Sequence, residues 1–136
     1  MKEFVFVILA TSAALVAGCG PRPVVGGTSG RLHAGGEPLG DMQVTAYLAE
    51  AGDWKPIGFA DTAADGTFRL LLDGARGPLV LEPGEYRFTL QSVGSPLVVP
   101  QELAQVERTP LQKTWTGAEG ELDLSLPRKL TQPRRR

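Results

Sequence analysis

The sequence predicts an all-β fold, a sandwich of about seven strands that occupies residues 30 to 127 as one domain. Short runs of alternating apolar and polar residues recur there, separated by Gly, Pro and Asp-Gly turns at intervals of about ten residues. The same stretch has no helical period of apolar residues. The only cysteine, Cys19, lies before it, so the apolar core must stabilise the domain without a disulfide.

Alternation assigns one face of each predicted strand to the core, because successive side chains point to opposite faces of a sheet. In the fifth strand, Tyr86, Phe88 and Leu90 face the core. The same rule places further residues there: Val44, Ala46, Leu48, Phe68, Leu70, Leu122, Leu124 and Leu126. The predicted strands are 30–34, 43–48, 55–61, 67–72, 85–92, 111–115 and 121–126.

The connections carry turn residues. Asp65 and Gly66 predict a hairpin between the strands of Ile57 and Phe68, because glycine adopts a positive φ without steric cost. Pro83 and Gly84 predict a similar turn before Tyr86. Pro38 and Pro100 have no N–H to donate, so we expect them in connections or at sheet edges.

The first nineteen residues have the order of a signal peptide. Lys2 precedes an apolar run of roughly 13 residues, which is shorter than the ~20 that a membrane-spanning helix needs. Ala17 and Gly18 then stand directly before Cys19, a junction that resembles the lipobox of bacterial lipoproteins. The resemblance implies a cleaved signal peptide, 1–18, and a covalent diacylglyceryl lipid with palmitate-type chains on Cys19.

Residues 19–29 are rich in Pro and Gly, the composition of a flexible linker between lipid and domain. More than one acyl chain suffices to hold a protein on a bilayer. We therefore expect a lipid-anchored protein on the cell membrane or the outer membrane, facing the periplasm or the exterior. Gly20 favours the outer membrane, because the aspartate that retains many lipoproteins at the inner membrane is not in that position.

Segments 36–44, 61–68 and 83–88 look like the carboxypeptidase regulatory-like, or transthyretin-like, module in the order and spacing of their turn and core residues. The later segments 100–111 and 121–126 are similar to small lipoproteins of the planctomycete type that carry this module. The resemblance implies a prealbumin-like or Ig-like sandwich. It implies little about activity, because function depends on sites and not on the fold.

The sequence predicts no catalytic residues. Transthyretin-like hydrolases use several histidines, whereas this chain has only His33, which would also have to be the base of any serine triad. Asp61 with Asp65, and Glu119 with Glu121, are too sparse for a dedicated calcium loop. We therefore expect no metal and no cofactor besides the lipid on Cys19.

Two features suggest partner binding. Trp54 is predicted in the connection at residues 51–54, where an exposed indole could stack on a sugar or insert into a partner; Trp115 is expected to pack in the core or at a sheet edge. From Cys19 to Pro127 the chain has 14 acidic and 8 basic residues, whereas the tail, 128–136, is basic. We expect a disordered arm with these cations: Arg128, Lys129, Arg134, Arg135 and Arg136.

These expectations combine into a membrane-anchored, non-enzymatic β-sandwich that acts as an interaction or structural module of the cell envelope. Its expected partners are an envelope protein, a glycan or anionic headgroups, and not nucleic acid. Two alternatives remain: a carbohydrate-binding accessory domain, and a degenerate transthyretin-like hydrolase.

Overall fold

A computed structural model of the protein describes residues 26–133. Cys19, the predicted signal peptide and Arg134, Arg135 and Arg136 lie outside this range. Within it the chain forms nine β-strands and two 3₁₀ turns, Asp73–Ala75 and Gln101–Ala104. The strands are β1 Ser29–Ala34, β2 Glu37–Pro38, β3 Met42–Glu50, β4 Asp53–Asp61, β5 Thr67–Arg69, β6 Leu71–Leu72, β7 Gly84–Ser92, β8 Gln112–Trp115 and β9 Leu122–Leu126.

The strands form two sheets. In the four-stranded sheet, β1 pairs in parallel with β9 along one edge. Along its other edge, the first half of β1 pairs antiparallel with β5 and its last two residues pair antiparallel with β2. The five-stranded sheet has the order β6-β4-β3-β7-β8, and all its strand pairs are antiparallel. The predicted all-β sandwich is confirmed, with nine strands in place of seven.

The core lies between the two sheets. Leu32 and Leu124 from the four-stranded sheet, and Val44 and Phe88 from the five-stranded sheet, are fully buried. Burial of an apolar side chain of this size contributes about 1.5–3 kcal/mol, so these inward faces dominate the stability of the fold. The inward-facing residues predicted from alternation are buried, except Leu48, which is half-buried against the core.

The predicted strand 67–72 divides at Leu70. Its first part, β5, pairs with β1, and its second part, β6, pairs with β4 in the other sheet. Leu70 is fully buried where the chain crosses between the sheets. The predicted hairpin is wrong, because the two strands that it was to join lie in different sheets.

Asp65 and Gly66 nevertheless form a tight turn. Gly66 has a φ of 79°. The Asp65 carboxylate accepts hydrogen bonds from the backbone N–H of Thr67 at 3.0 Å and from its hydroxyl at 2.6 Å. Turn residues therefore indicated the bend correctly, but they carry no information about which sheet the next strand enters.

Of the other predictions about turns and prolines, one is wrong and two hold. The turn predicted at Pro83 and Gly84 is wrong, because Gly84 is already the first residue of β7 and its φ is not positive. Pro38 lies in the two-residue edge strand β2, and Pro100 precedes a 3₁₀ turn, as expected.

The start of the basic tail is docked on the sandwich. Leu130 packs against the core, and the Thr131 carbonyl accepts a hydrogen bond from the Val98 N–H at 2.8 Å. The Lys129 ammonium lies 2.7 Å from the Glu37 carboxylate. The structure therefore places residues 128 to 131 against the sandwich, whereas the sequence predicted a disordered arm there.

Candidate functional site

The outer faces of the two sheets differ in chemistry. That of the four-stranded sheet is charged: Arg31 pairs with Glu121 at 3.0 Å, and His33 Nδ1 lies 3.9 Å from Asp123. That of the five-stranded sheet carries half-buried aromatic rings, and this makes it the better candidate for binding.

Strand register builds the aromatic surface. Thr45, Tyr47 and Ala49 point outward from β3, because Val44 and Ala46 point into the core. Phe59 lies opposite Thr45 and Trp54 lies opposite Ala49 on β4. On the other side of β3, Arg87 of β7 lies opposite Tyr47. The outward-facing aromatic side chains, all half-buried, are Tyr47, Trp54 and Phe59.

A β-bulge turns Trp54 outward. Gly58 and Ala60 face the core, and unbroken alternation would place Trp54 on the same inner face. The register shifts between Ala46 and Tyr47, where β4 has one extra residue, so the alternation of β4 is reversed beyond that point. The indole therefore lies on the outside of the sheet. Trp54 also belongs to β4, and its predicted place in a connection is corrected.

Arg87 holds the indole. Its guanidinium carbon lies 4.4 Å from the ring centroid of Trp54, a cation–π contact worth about 0.5–1 kcal/mol at a partly exposed site. The small Ala49 opposite Trp54 leaves room for this approach. Arg87 Nη1 donates to the carbonyls of Val106 at 3.1 Å and Glu107 at 3.3 Å. The guanidinium is thus fixed on one side by backbone and on one face by an aromatic ring.

A cleft of about 180 Å³ opens beside this pair, and we call it the Trp54 cleft. Tyr86 and Lys113 also line it, although strand alternation directs their side chains toward the other face of the sheet, together with the buried Trp115. The side chains that line it are Trp54, Glu85, Arg87, Gln112 and Thr114.

One polar atom beside the cleft has no partner. Arg87 Nε is buried, and among residues 26–133 nothing accepts a hydrogen bond from it. A buried donor without a partner costs about 1–3 kcal/mol. Arg87 was not predicted as a site residue from the sequence. It lies between the inward-facing Tyr86 and Phe88, so alternation places it on the outer face, where any solvated strand residue would also lie.

The remaining predicted site residues lie elsewhere. Trp115 is buried, and its indole N–H donates to the Leu81 carbonyl at 3.1 Å. Arg128 and Lys129 line a separate apolar groove of about 500 Å³, whose other side chains include Val98, Leu103 and Leu130. Cys19 and the three terminal arginines lie outside the described residues. The structure therefore does not bring Trp54 into one site with Arg128 and Lys129.

The acidic residues considered for calcium have local roles. The Thr67 hydroxyl lowers the pKa of Asp65, and the Thr116 hydroxyl lowers the pKa of Glu119, in each case by a hydrogen bond to the carboxylate. Within residues 26–133, no three His, Cys, Asp or Glu side chains lie close enough together to hold a metal ion. None of the helical segments between residues 26 and 133 is long and apolar enough to cross a membrane.

Comparisons with protein-family models, with curated proteins and with solved structures found no match to this chain. The features that bear on function are therefore the geometry of the Trp54 cleft and the sequence before Gly26.

Proposed function

We propose that this chain is a non-catalytic binding module of the cell envelope and that the Trp54 cleft is its ligand site. The observation that carries the proposal is the outward-facing indole, fixed by Arg87 and flanked by polar side chains. Such a ring can stack on the apolar face of a sugar, while Gln112 and Thr114 can hydrogen-bond to its hydroxyls. The ligand that this arrangement fits best is a saccharide.

The lipid on Cys19 completes the proposal by holding the module at a membrane surface. The support is the Ala17, Gly18 and Cys19 junction after an apolar run too short to span a bilayer. We further propose that the domain is of the carboxypeptidase regulatory-like or transthyretin-like kind. The two-sheet architecture and the Asp65 and Gly66 turn support that assignment.

Binding is a better account of the site than the transthyretin-like hydrolysis considered from the sequence. That hydrolysis needs a histidine base close to the bound substrate. His33 lies on the outer face of the four-stranded sheet, whereas the Trp54 cleft opens on the outer face of the five-stranded sheet. The two features therefore belong to opposite sides of the sandwich.

The test is saccharide binding by the full chain, purified in detergent and titrated with a panel of envelope oligosaccharides. We expect Trp54→Ala to weaken binding at least about tenfold, a loss of about 1.4 kcal/mol. Phe59→Ala is the matched control, because Phe59 is an aromatic residue of the same face outside the cleft. Equal loss in both variants, or binding that persists without Trp54, would place the ligand elsewhere.

A further inference from the structure

Arg87 offers its hydrogen-bond donors unequally. A guanidinium has five N–H donors in a planar fork. Nη1 is occupied by the Val106 and Glu107 carbonyls, while Nε is buried and has no acceptor among residues 26–133. Nη2 likewise makes no hydrogen bond to the described residues, and it is not fully buried, because Nε is the one fully buried side-chain atom there without a partner.

The unpaired edge has a specific chemistry. Nε and Nη2 lie side by side and point the same way, which is the geometry that pairs with the two oxygens of a carboxylate. Trp54 over one face and the two carbonyls at Nη1 fix the orientation of that edge before any ligand arrives. Arg87 is also part of the wall of the Trp54 cleft.

We propose that the Trp54 cleft selects a sugar that carries a carboxylate, such as a uronic acid unit of an acidic glycan. The sugar ring stacks on the indole, and its carboxylate pairs with Nη2 and supplies the acceptor that Nε lacks. This inference rests on the proposed function.

Other charges near the cleft limit what it accepts. Glu85 is exposed at its wall and its negative charge opposes any acidic ligand, so binding of an acid depends on its pairing with Arg87. The side chain of Lys113 points away from the cleft. Arg87 is therefore the cation that can recognise the acid.

The experiment compares an oligogalacturonate with its neutral methyl ester, both titrated into the full chain in detergent. We expect the acid to bind at least about tenfold more tightly than the ester. Arg87→Lys keeps the charge but loses the fork, and it should abolish this preference, so that acid and ester bind this variant equally. Lys113→Gln is the matched control and should retain the preference.

Equal binding of acid and ester by the unaltered protein would overturn the inference and leave saccharide binding intact. Binding of neither probe would overturn the inference together with the proposed function. A preference that survives Arg87→Lys would also overturn it, because net charge and not the guanidinium fork would then select the acid. Should Arg87→Lys fail to fold, the comparison of acid with ester on the unaltered protein still decides.

Discussion

Gly30 is a residue whose missing side chain shapes the core. It pairs with Phe68 across β1 and β5, and a Cβ at this position would lie 2.3 Å from the Cζ atom of that ring. It would also lie 2.9 Å from the Leu122 carbonyl oxygen on the neighbouring strand. Because neither a packed ring nor a sheet backbone can easily yield, glycine is needed here for close approach and not for its φ.

Gly30→Ala should therefore destabilise the protein by about 1–3 kcal/mol, the usual cost of overpacking a core. The matched control is Gly77→Ala, since the nearest atom to a Cβ there is Leu72 Cδ1 at 3.9 Å. Chemical denaturation of both variants gives the comparison. Similar midpoints for the two would show that the sheet accommodates a methyl group at Gly30.

Asp65 should make stability depend on pH at the acid end. Its pKa is lowered from the ordinary 3.8 by the Thr67 hydroxyl, so the folded state binds its proton less readily than the unfolded chain. Its stabilising contribution is present above about pH 4 and is lost as the pH falls through the folded-state pKa. The measurement is the melting temperature as a function of pH between about pH 6 and about pH 2. Asp65→Asn should reduce the slope of that dependence, and Thr67→Ser should keep it. An unchanged slope in Asp65→Asn would mean that other carboxylates are responsible.

Among the elements, the docked tail makes the clearest prediction. Removal of residues 128 to 136 takes away the Leu130 contact, the hydrogen bond between Val98 and Thr131 and the ion pair between Lys129 and Glu37. We expect a loss of about 1–2 kcal/mol, mostly from the leucine because exposed ion pairs contribute little. Leu130→Ala should reproduce about half or more of that loss.

The control for the tail is a truncation of Arg134, Arg135 and Arg136 alone. It removes three of the five tail cations but none of the contacts of residues 128 to 131. Its melting temperature should equal that of the full chain. If both truncations melt like the full chain, the packing of Leu130 does not stabilise the fold.

At the scale of the whole molecule, the chain enters and leaves the sandwich at opposite ends. β1 and β9 run parallel side by side, from Gly30 opposite Leu122 to Ala34 opposite Leu126. Thr28 at the entry end bonds to Leu79, whereas the tail follows Leu126 at the other end. A lipid on Cys19 would therefore leave the basic tail on the end farther from the entry of the anchored segment.

Cys19→Ser should release the protein from the membrane. Expressed in a bacterium that processes lipoproteins, the unaltered chain should fractionate with membranes and the variant with soluble proteins. The physical reason is that acyl chains contribute about 0.8 kcal/mol for each buried methylene, which the hydroxyl of serine cannot replace. Membrane association that persists in Cys19→Ser would remove the lipid from the proposal.

The sequence by itself determined the strands and their inward faces. Tyr86, Phe88 and Leu90 were assigned correctly because alternation and burial are local properties of a strand. It did not determine that the chain changes sheets at Leu70, since the run of leucines after Arg69 does not indicate which sheet each part of the segment joins. Pairing is a choice between distant partners, and only the packed sheets decide it.

The Trp54 cleft belongs to what only the tertiary structure decided. A bulge formed by the pairing of β3 with β4 reverses the alternation and turns Trp54 outward, and the register of β3 with β7 brings Arg87 beneath it. Pro56 at the bulge is a local sign of an irregular strand, but it does not indicate that Trp54 turns outward or that Arg87 meets it. The contact between them exists because two strand pairs, each fixed by its own buried face, place the remaining outer faces side by side.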